Sequence, residues 1–445
     1  MKINQLPLEV VANILSSLES LTELTEAILA CRHFYAAFLE NPHIPGTIVY
    51  STFDNGEVLP LAVAALRTGK LGTRFVHSDE VLRFVDDLRV PRHLDRELRS
   101  MRLHELYDLH DLTDAVTEAA FDWANLAWHN YEEDHNCDFG LSLAEAARFC
   151  RVLYRTEIFL RVFRVDDALD EDAKGRVELE GQLWLLKSFC MFEIEQIACA
   201  HDYMESRIVF ASRFILAHDI EAGAMHIDYL TLGENPLRQK WITRGCVWLA
   251  KLIRLKKDVA ARRDLLAKSL DGEDAHLYGA LWRLKELYRG PNSKLKLCPK
   301  QPRQVIDNDP GPPSAFDYAH ANTDIDLTVD IGPNGETPDY PILVTFAHDD
   351  SGLREQAYVM WDLSRIKDWD LFHEMEIVPS ASRAAPEPGW YTQMRRSWAA
   401  RRKLYEQGER GTWRLERPWS DVSALDEAVA SEELWYTMSA FEGRH

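Results

Sequence analysis

The chain is short of most features that would assign it a compartment or a chemistry at sight. Its seven cysteines, at 31, 137, 150, 190, 199, 246 and 298, are odd in number and include no Cys-x-x-Cys pair, so neither a disulfide framework nor a zinc knuckle is indicated. No apolar run approaches the ~20 residues that a bilayer requires. Glu9, Asn13 and Glu19 interrupt the apolar stretch that a signal peptide would need. No Asn stands in an Asn-x-Ser/Thr acceptor. Positive charge is in deficit, with 51 Lys and Arg against 72 Asp and Glu and a net charge of -21, which works against nucleic acid or anionic lipid as a partner. Gly-x-Ser-x-Gly, Gly-x-Gly-x-x-Gly and Gly-Lys-Ser/Thr are all missing, and with them the usual nucleophile elbow, dinucleotide fingerprint and phosphate loop. The expected setting is a reducing one, cytoplasmic or nuclear, without membrane or nucleic acid.

Proline is absent between Pro91 and Pro236, while Ala, Leu, Glu and Arg abound there, so this long stretch is predicted to be helical. Leu112, Val116, Ala119, Trp123 and Leu126 keep a helical period, and Ser142 with Glu145 predicts a capped helix start. The apolar residues from Leu183 to Ile197 cover more than one face and predict a central helix. Trp241, Val247, Trp248, Leu252 and Leu255 continue the pattern, and a last helix is expected from about Asp274 to Tyr288.

From Pro291 to Pro341 there are nine prolines, which marks a linker or long loop. Beyond it the period changes to two: Ile325, Leu327, Val329 and Ile331 alternate with polar residues, and runs 342–346 and 357–361 are rich in strand formers. A small antiparallel sheet is expected, followed by helices near 390–407 and 434–441. The first of these carries a basic cluster from Arg395 to Lys403, read as a solvated face.

The first forty-odd residues carry the most specific pattern. Leu6-Pro7-Leu8-Glu9 opens a helix at a position where proline loses no hydrogen bond, and Val11, Ile14, Leu15 and Leu18 form an apolar stripe. Ser20 and Glu23 predict the start of a second helix. Leu21, Leu24, Ile28 and Cys31 line it, Phe34 and Phe38 follow, and Pro42, Pro45 and Gly46 are expected to stop the helical run. So short a unit cannot bury all its apolar surface alone. The stretch resembles an F-box, through the Leu-Pro pair, the Glu two residues on, the spaced Ile-Leu and Leu, and the late Cys-Arg-x-aromatic, with Phe34 where many members carry Trp. The resemblance implies a three-helix unit that docks on the Skp-type adaptor of a cullin-RING ubiquitin ligase. It also implies that Leu6, Pro7, Ile14, Leu15 and Leu18 meet that adaptor while the rest of the chain captures a target protein.

Other constellations are weaker. His104-Glu105-Leu106-Tyr107-Asp108 lacks the second histidine of a zinc helix, and His110 falls on another face. His129, Glu133, His135 and Cys137 cluster without a known ligand spacing, and Asp349-Asp350-Ser351-Gly352 lacks the alternating oxygens of a calcium loop. No catalytic residue, cofactor or metal ligand is named. The fold expected is mainly α, with an F-box at 1–46, a large helical domain at 50–290, a Pro-rich linker at 291–323 and an α+β region with a short antiparallel sheet at 324–445. The function expected is that of a substrate receptor in ubiquitin-dependent degradation, not an enzyme. A helical scaffold indifferent to the adaptor, and an enzyme without a recognisable motif, are the alternatives.

Overall fold

A computed structural model describes residues 5–52, 58–71, 98, 100–131, 140–163, 181–189, 191–218, 236–255, 258–269, 277–289, 354, 356–368, 403 and 406–408. The described chain is mainly helical: α1 Leu8–Ser16, α2 Leu21–Ala30, α3 Arg32–Glu40, α4 Ile44–Thr52, α5 Leu59–Leu71, α6 Leu103–Tyr131, α7 Leu143–Val162, α8 Met191–His218, α9 Pro236–Ile242, α10 Gly245–Arg254, α11 Val259–Lys268, α12 Leu277–Arg289, a 3-10 helix at Tyr358–Met360, and α13 Leu363–Asp368.

Both predicted caps form. The Ser20 hydroxyl accepts from the Glu23 N–H at 3.1 Å, while the Glu23 carboxylate reaches the N–H of Glu19. Ser142 and Glu145 make the full reciprocal box, with Ser142 N–H donating to Glu145 Oε2 at 2.9 Å. Ser142 Oγ also donates to Asp362 Oδ2 at 2.9 Å, so Ser142→Ala is expected to cost about 1–2 kcal/mol in urea denaturation, the upper range for a cap.

The helical run does not stop at Pro45-Gly46. These residues stand in the first turn of α4, where a missing N–H is tolerated, so the expected boundary at 46–50 falls inside a helix. Ile44, Ile48 and Val49 are buried, and α4 packs on α1, α2 and α6. It supplies the cover that α1–α3 cannot provide for themselves, and one hydrophobic core runs from Val11 to Ile366.

The hub also differs from expectation. The run 183–197 is split: a helical piece ends near Ser188, whose Oγ donates to Leu185 O at 2.6 Å, and α8 begins at Met191. The helix closed in on all sides is α7, where every residue from Arg151 to Leu160 is buried. It packs against α5, α6, α8 and α10, while α8 also meets α9, α11 and α12. Trp123 of α6 stacks on Tyr203 of α8 at 5.1 Å and meets the edge of Phe149 of α7 at 4.9 Å.

The strand expected at 357–361 is a 3-10 turn. Ala357 takes the left-handed conformation at φ 51°, and Met360 N–H closes back on Ala357 O at 2.8 Å. A strand on a surface would alternate in exposure, whereas all five residues from Ala357 to Trp361 are buried. Their carbonyls find side chains in place of a partner strand: Arg148 donates to Met360 O at 2.9 Å and Gln196 to Val359 O at 3.2 Å. No β-strand occurs among the described residues; the other two expected strands, 325–331 and 342–346, lie outside them, as does the linker at 291–323. Arg354 and residues 356–368 are thus part of the helical core, not of a separate α+β region. Phe149 meets Trp361 edge-on at 5.2 Å, and Glu145 accepts from Arg365 Nε at 2.8 Å and from Asp362 N–H at 3.0 Å.

Candidate functional site

Two places in the fold bear on function. The first is the outer face of the N-terminal helices. Helix α1 turns Val11, Ala12 and Leu15 inward and leaves Pro7, Val10 and Ile14 exposed, the last two at 42%. On the adjoining α3, Tyr35 and Leu39 are exposed one turn apart, and α2 leaves Leu29 80% exposed. Residues 7, 10 and 14 form one stripe because helical neighbours recur at three and four residues. Of the residues assigned to the adaptor, Pro7 and Ile14 are exposed, Leu6 and Leu18 are half-buried against the core, and Leu15 is closed off at 1% exposure. Leu15 therefore serves the core. His33 Nε2 lies 2.9 Å from Leu6 O, which ties the chain entering α1 to α3. The unit is anchored inward where Tyr107 of α6 donates to Leu21 O at 2.9 Å and meets Thr25 Oγ1.

The second place is a buried polar centre between α8, α9 and the 354–361 segment. Helical spacing sets His201, Asp202 and Glu205 together on α8. His201 Nδ1 is 3.1 Å from Asp202 Oδ1, and Nε2 is 3.0 Å from Gln239 Oε1 of α9. Burial opposes a charged imidazole here, but the bond to Asp202, the charges of Glu205 and Asp202, and the bond to Gln239 outweigh it and hold the pKa above the ordinary value. Arg354 clasps Glu195 with two bonds of 2.9 and 3.1 Å and lies 3.6 Å from Asp202; Arg238 lies 3.6 Å from Glu205. Tyr278 of α12 closes the other side, its ring 5.7 Å from that of His201.

The sequence gives a faint trace of this centre, His201-Asp202-x-x-Glu205, which matches no ligand motif and was not among the expected sites. Gln239, Glu195 and Arg354 have no local trace, since they converge from distant positions. The weaker candidates stay apart. His104 and Asp108 are exposed, Glu105 accepts the Arg102 N–H at the start of α6, and His110 pairs with Asp114 at 3.6 Å. Glu133, His135, Cys137, Asp349–Gly352 and the basic residues 395–402 lie outside the described residues. Three cysteines are packing groups: burial pushes the Cys150 thiol up to about 11 and raises those of Cys199 and Cys246 as well, which disfavours the thiolate.

No family model matches the chain, and neither a curated protein nor a solved structure matches it. Among the described residues no helix is long and apolar enough to cross a membrane.

Proposed function

We propose that the chain is a substrate-recognition subunit of a Skp-cullin-F-box type ubiquitin ligase, with α1–α3 binding the Skp-type adaptor and the remaining helical body holding a target protein. The observation that carries this reading is the stripe Pro7, Val10 and Ile14, which stays exposed on α1 while the opposite face of the same short helix is sealed in the core. Exposed apolar side chains in register on a helix are what a partner surface buries. In this role no residue of the chain performs chemistry. Binding holds a lysine of the target near a conjugating enzyme and raises its effective concentration. The setting is cytoplasmic or nuclear.

Co-expression with a Skp-type adaptor followed by size-exclusion chromatography tests the proposal. The wild type is expected to co-elute. Val10→Asp and Ile14→Asp, at positions already open to solvent, are expected to keep the fold and weaken the complex at least about tenfold, because an unpaired carboxylate would have to be desolvated on binding. A complex that survives both substitutions would place the adaptor elsewhere and sink the assignment of this stripe. The unbroken core joining α1 to α12 favours a second reading, a helical scaffold whose N-terminal unit is its own structural cap. A well-folded wild type that elutes without the adaptor would support it.

A further inference from the structure

We propose that His201, Asp202 and Glu205, with the amide of Gln239 beside them, form a buried site for one divalent cation of the zinc class. One ligand atom from each of the three α8 residues lies within 4.8 Å of the other two. A zinc ion holds nitrogen and oxygen ligands about 2.0–2.2 Å from itself, so small side-chain turns bring these atoms into its shell. Their order on the helix makes such turns sufficient. His201 and Glu205 are one turn apart on the same face, and Asp202 is already in contact with the imidazole.

Gln239 is a second, independent pointer. It comes from a different helix, is only 3% exposed, and its Nε2 has no hydrogen-bond partner among the described residues, although its Oε1 touches His201 Nε2 at 3.0 Å. A buried amide group without a partner keeps its desolvation cost uncompensated. Amide oxygen and nitrogen exchange places by a half-turn of the side chain, and in either orientation one polar atom of Gln239 is left over for the site. As placed, Nε2 can donate to a water on the ion.

The surroundings suit a cation. Glu195, Asp202 and Glu205 put three carboxylates here against the two guanidiniums of Arg354 and Arg238, so these five side chains carry one net negative charge. Arg354 stands 3.6 Å from Asp202 and Arg238 3.6 Å from Glu205. Arg354 and Arg238 stand as an outer ring that orients both carboxylates. An ion here would pin α9 to α8 next to the docked 354–361 segment, a structural role in keeping with its burial.

The full chain, stripped with a chelator and returned to metal-free buffer, is titrated with Zn2+ against a chromophoric chelator. One Zn2+ per chain is expected, with affinity reduced at least about tenfold in His201→Gln and in Glu205→Gln. Glu118→Gln, at an exposed ion pair outside the cluster, should leave it unchanged. Circular dichroism reports whether each variant folds. A folded wild type that takes up no Zn2+ overturns the proposal, as does uptake that both site variants retain, which would mark an adventitious surface ion. Should the variants fail to fold, Co2+ in the wild type decides. Strong visible bands of a four-coordinate nitrogen and oxygen site support the assignment; weak six-coordinate bands, or a thiolate charge-transfer band from cysteine, overturn it. None of these readouts depends on the adaptor.

Discussion

Arg354→Met is expected to lower the unfolding free energy by about 3–5 kcal/mol, the range for removing one partner of a buried ion pair. Glu195 is fully buried, and without Arg354 its carboxylate keeps the desolvation cost while losing both charge-assisted bonds. Burial alone would lower the Arg354 pKa, but the charges of Glu195 and Asp202 outweigh it and hold the guanidinium above its ordinary value. Urea denaturation checks the magnitude. The companion variant Arg354→Met with Glu195→Met is expected to recover a large part of the loss, since replacing both members removes the orphaned charge. A double variant as unstable as the single one would show that the clasp matters for shape and not for charge. Because Arg354 leads into the segment sealed by Tyr358, Met360 and Trp361, the single variant should also expose that segment to protease before the rest of the core opens.

The second large effect is at the break between α9 and α10. Gly245 has φ +77°, and a Cβ there would lie 2.9 Å from Cδ and Oε1 of Glu157 and collide with Oε2. That carboxylate is not free to move away, because it accepts the Cys246 N–H at 2.7 Å and Arg161 Nε at 2.6 Å. Gly245→Ala therefore combines a left-handed alanine, about 1–2 kcal/mol, with a displaced buried carboxylate, about 1–3 kcal/mol. The expected loss is roughly 2–5 kcal/mol by denaturant titration. Gly279 is the matched control. It lies in α12, with nothing within 4 Å of the Cβ position, so Gly279→Ala should be neutral or stabilise by up to about 1 kcal/mol. Equal losses at both positions would refute the role given to Glu157.

These two sites show why the pattern along the chain misled at particular places. Trp241, Val247, Trp248, Leu252 and Leu255 read as a continuing helical period, yet the chain is broken at Gly245 because the Glu157 carboxylate, from α7, occupies the space where a side chain would be. The sequence of helix α7 does not read as a hub because Arg148, Arg151, Arg155 and Glu157 make it look solvated. They are buried nonetheless, with Arg155 on Glu193 at 2.6 Å and Arg148 on Asp362 at 2.7 Å. Apolar counting cannot recognise a charge that is neutralised by a residue on another helix.

What the sequence determined by itself was local: the caps at Ser20 and Ser142, the helices permitted by the absence of proline, the last helix near residues 277–289, and the helix that opens after Pro7. Each depends on side chains and backbone groups within a turn or two of one another. Only the tertiary structure decided that Leu15 faces inward, that residues 357–361 form a buried 3-10 turn, and that His201, Asp202 and Glu205 meet Gln239 and Arg354. The reason is sequence distance. The bonds of Arg354 to Glu195 and of Arg365 to Glu145 join residues 159 and 220 apart, and such groups acquire partners only once the core has brought their helices together.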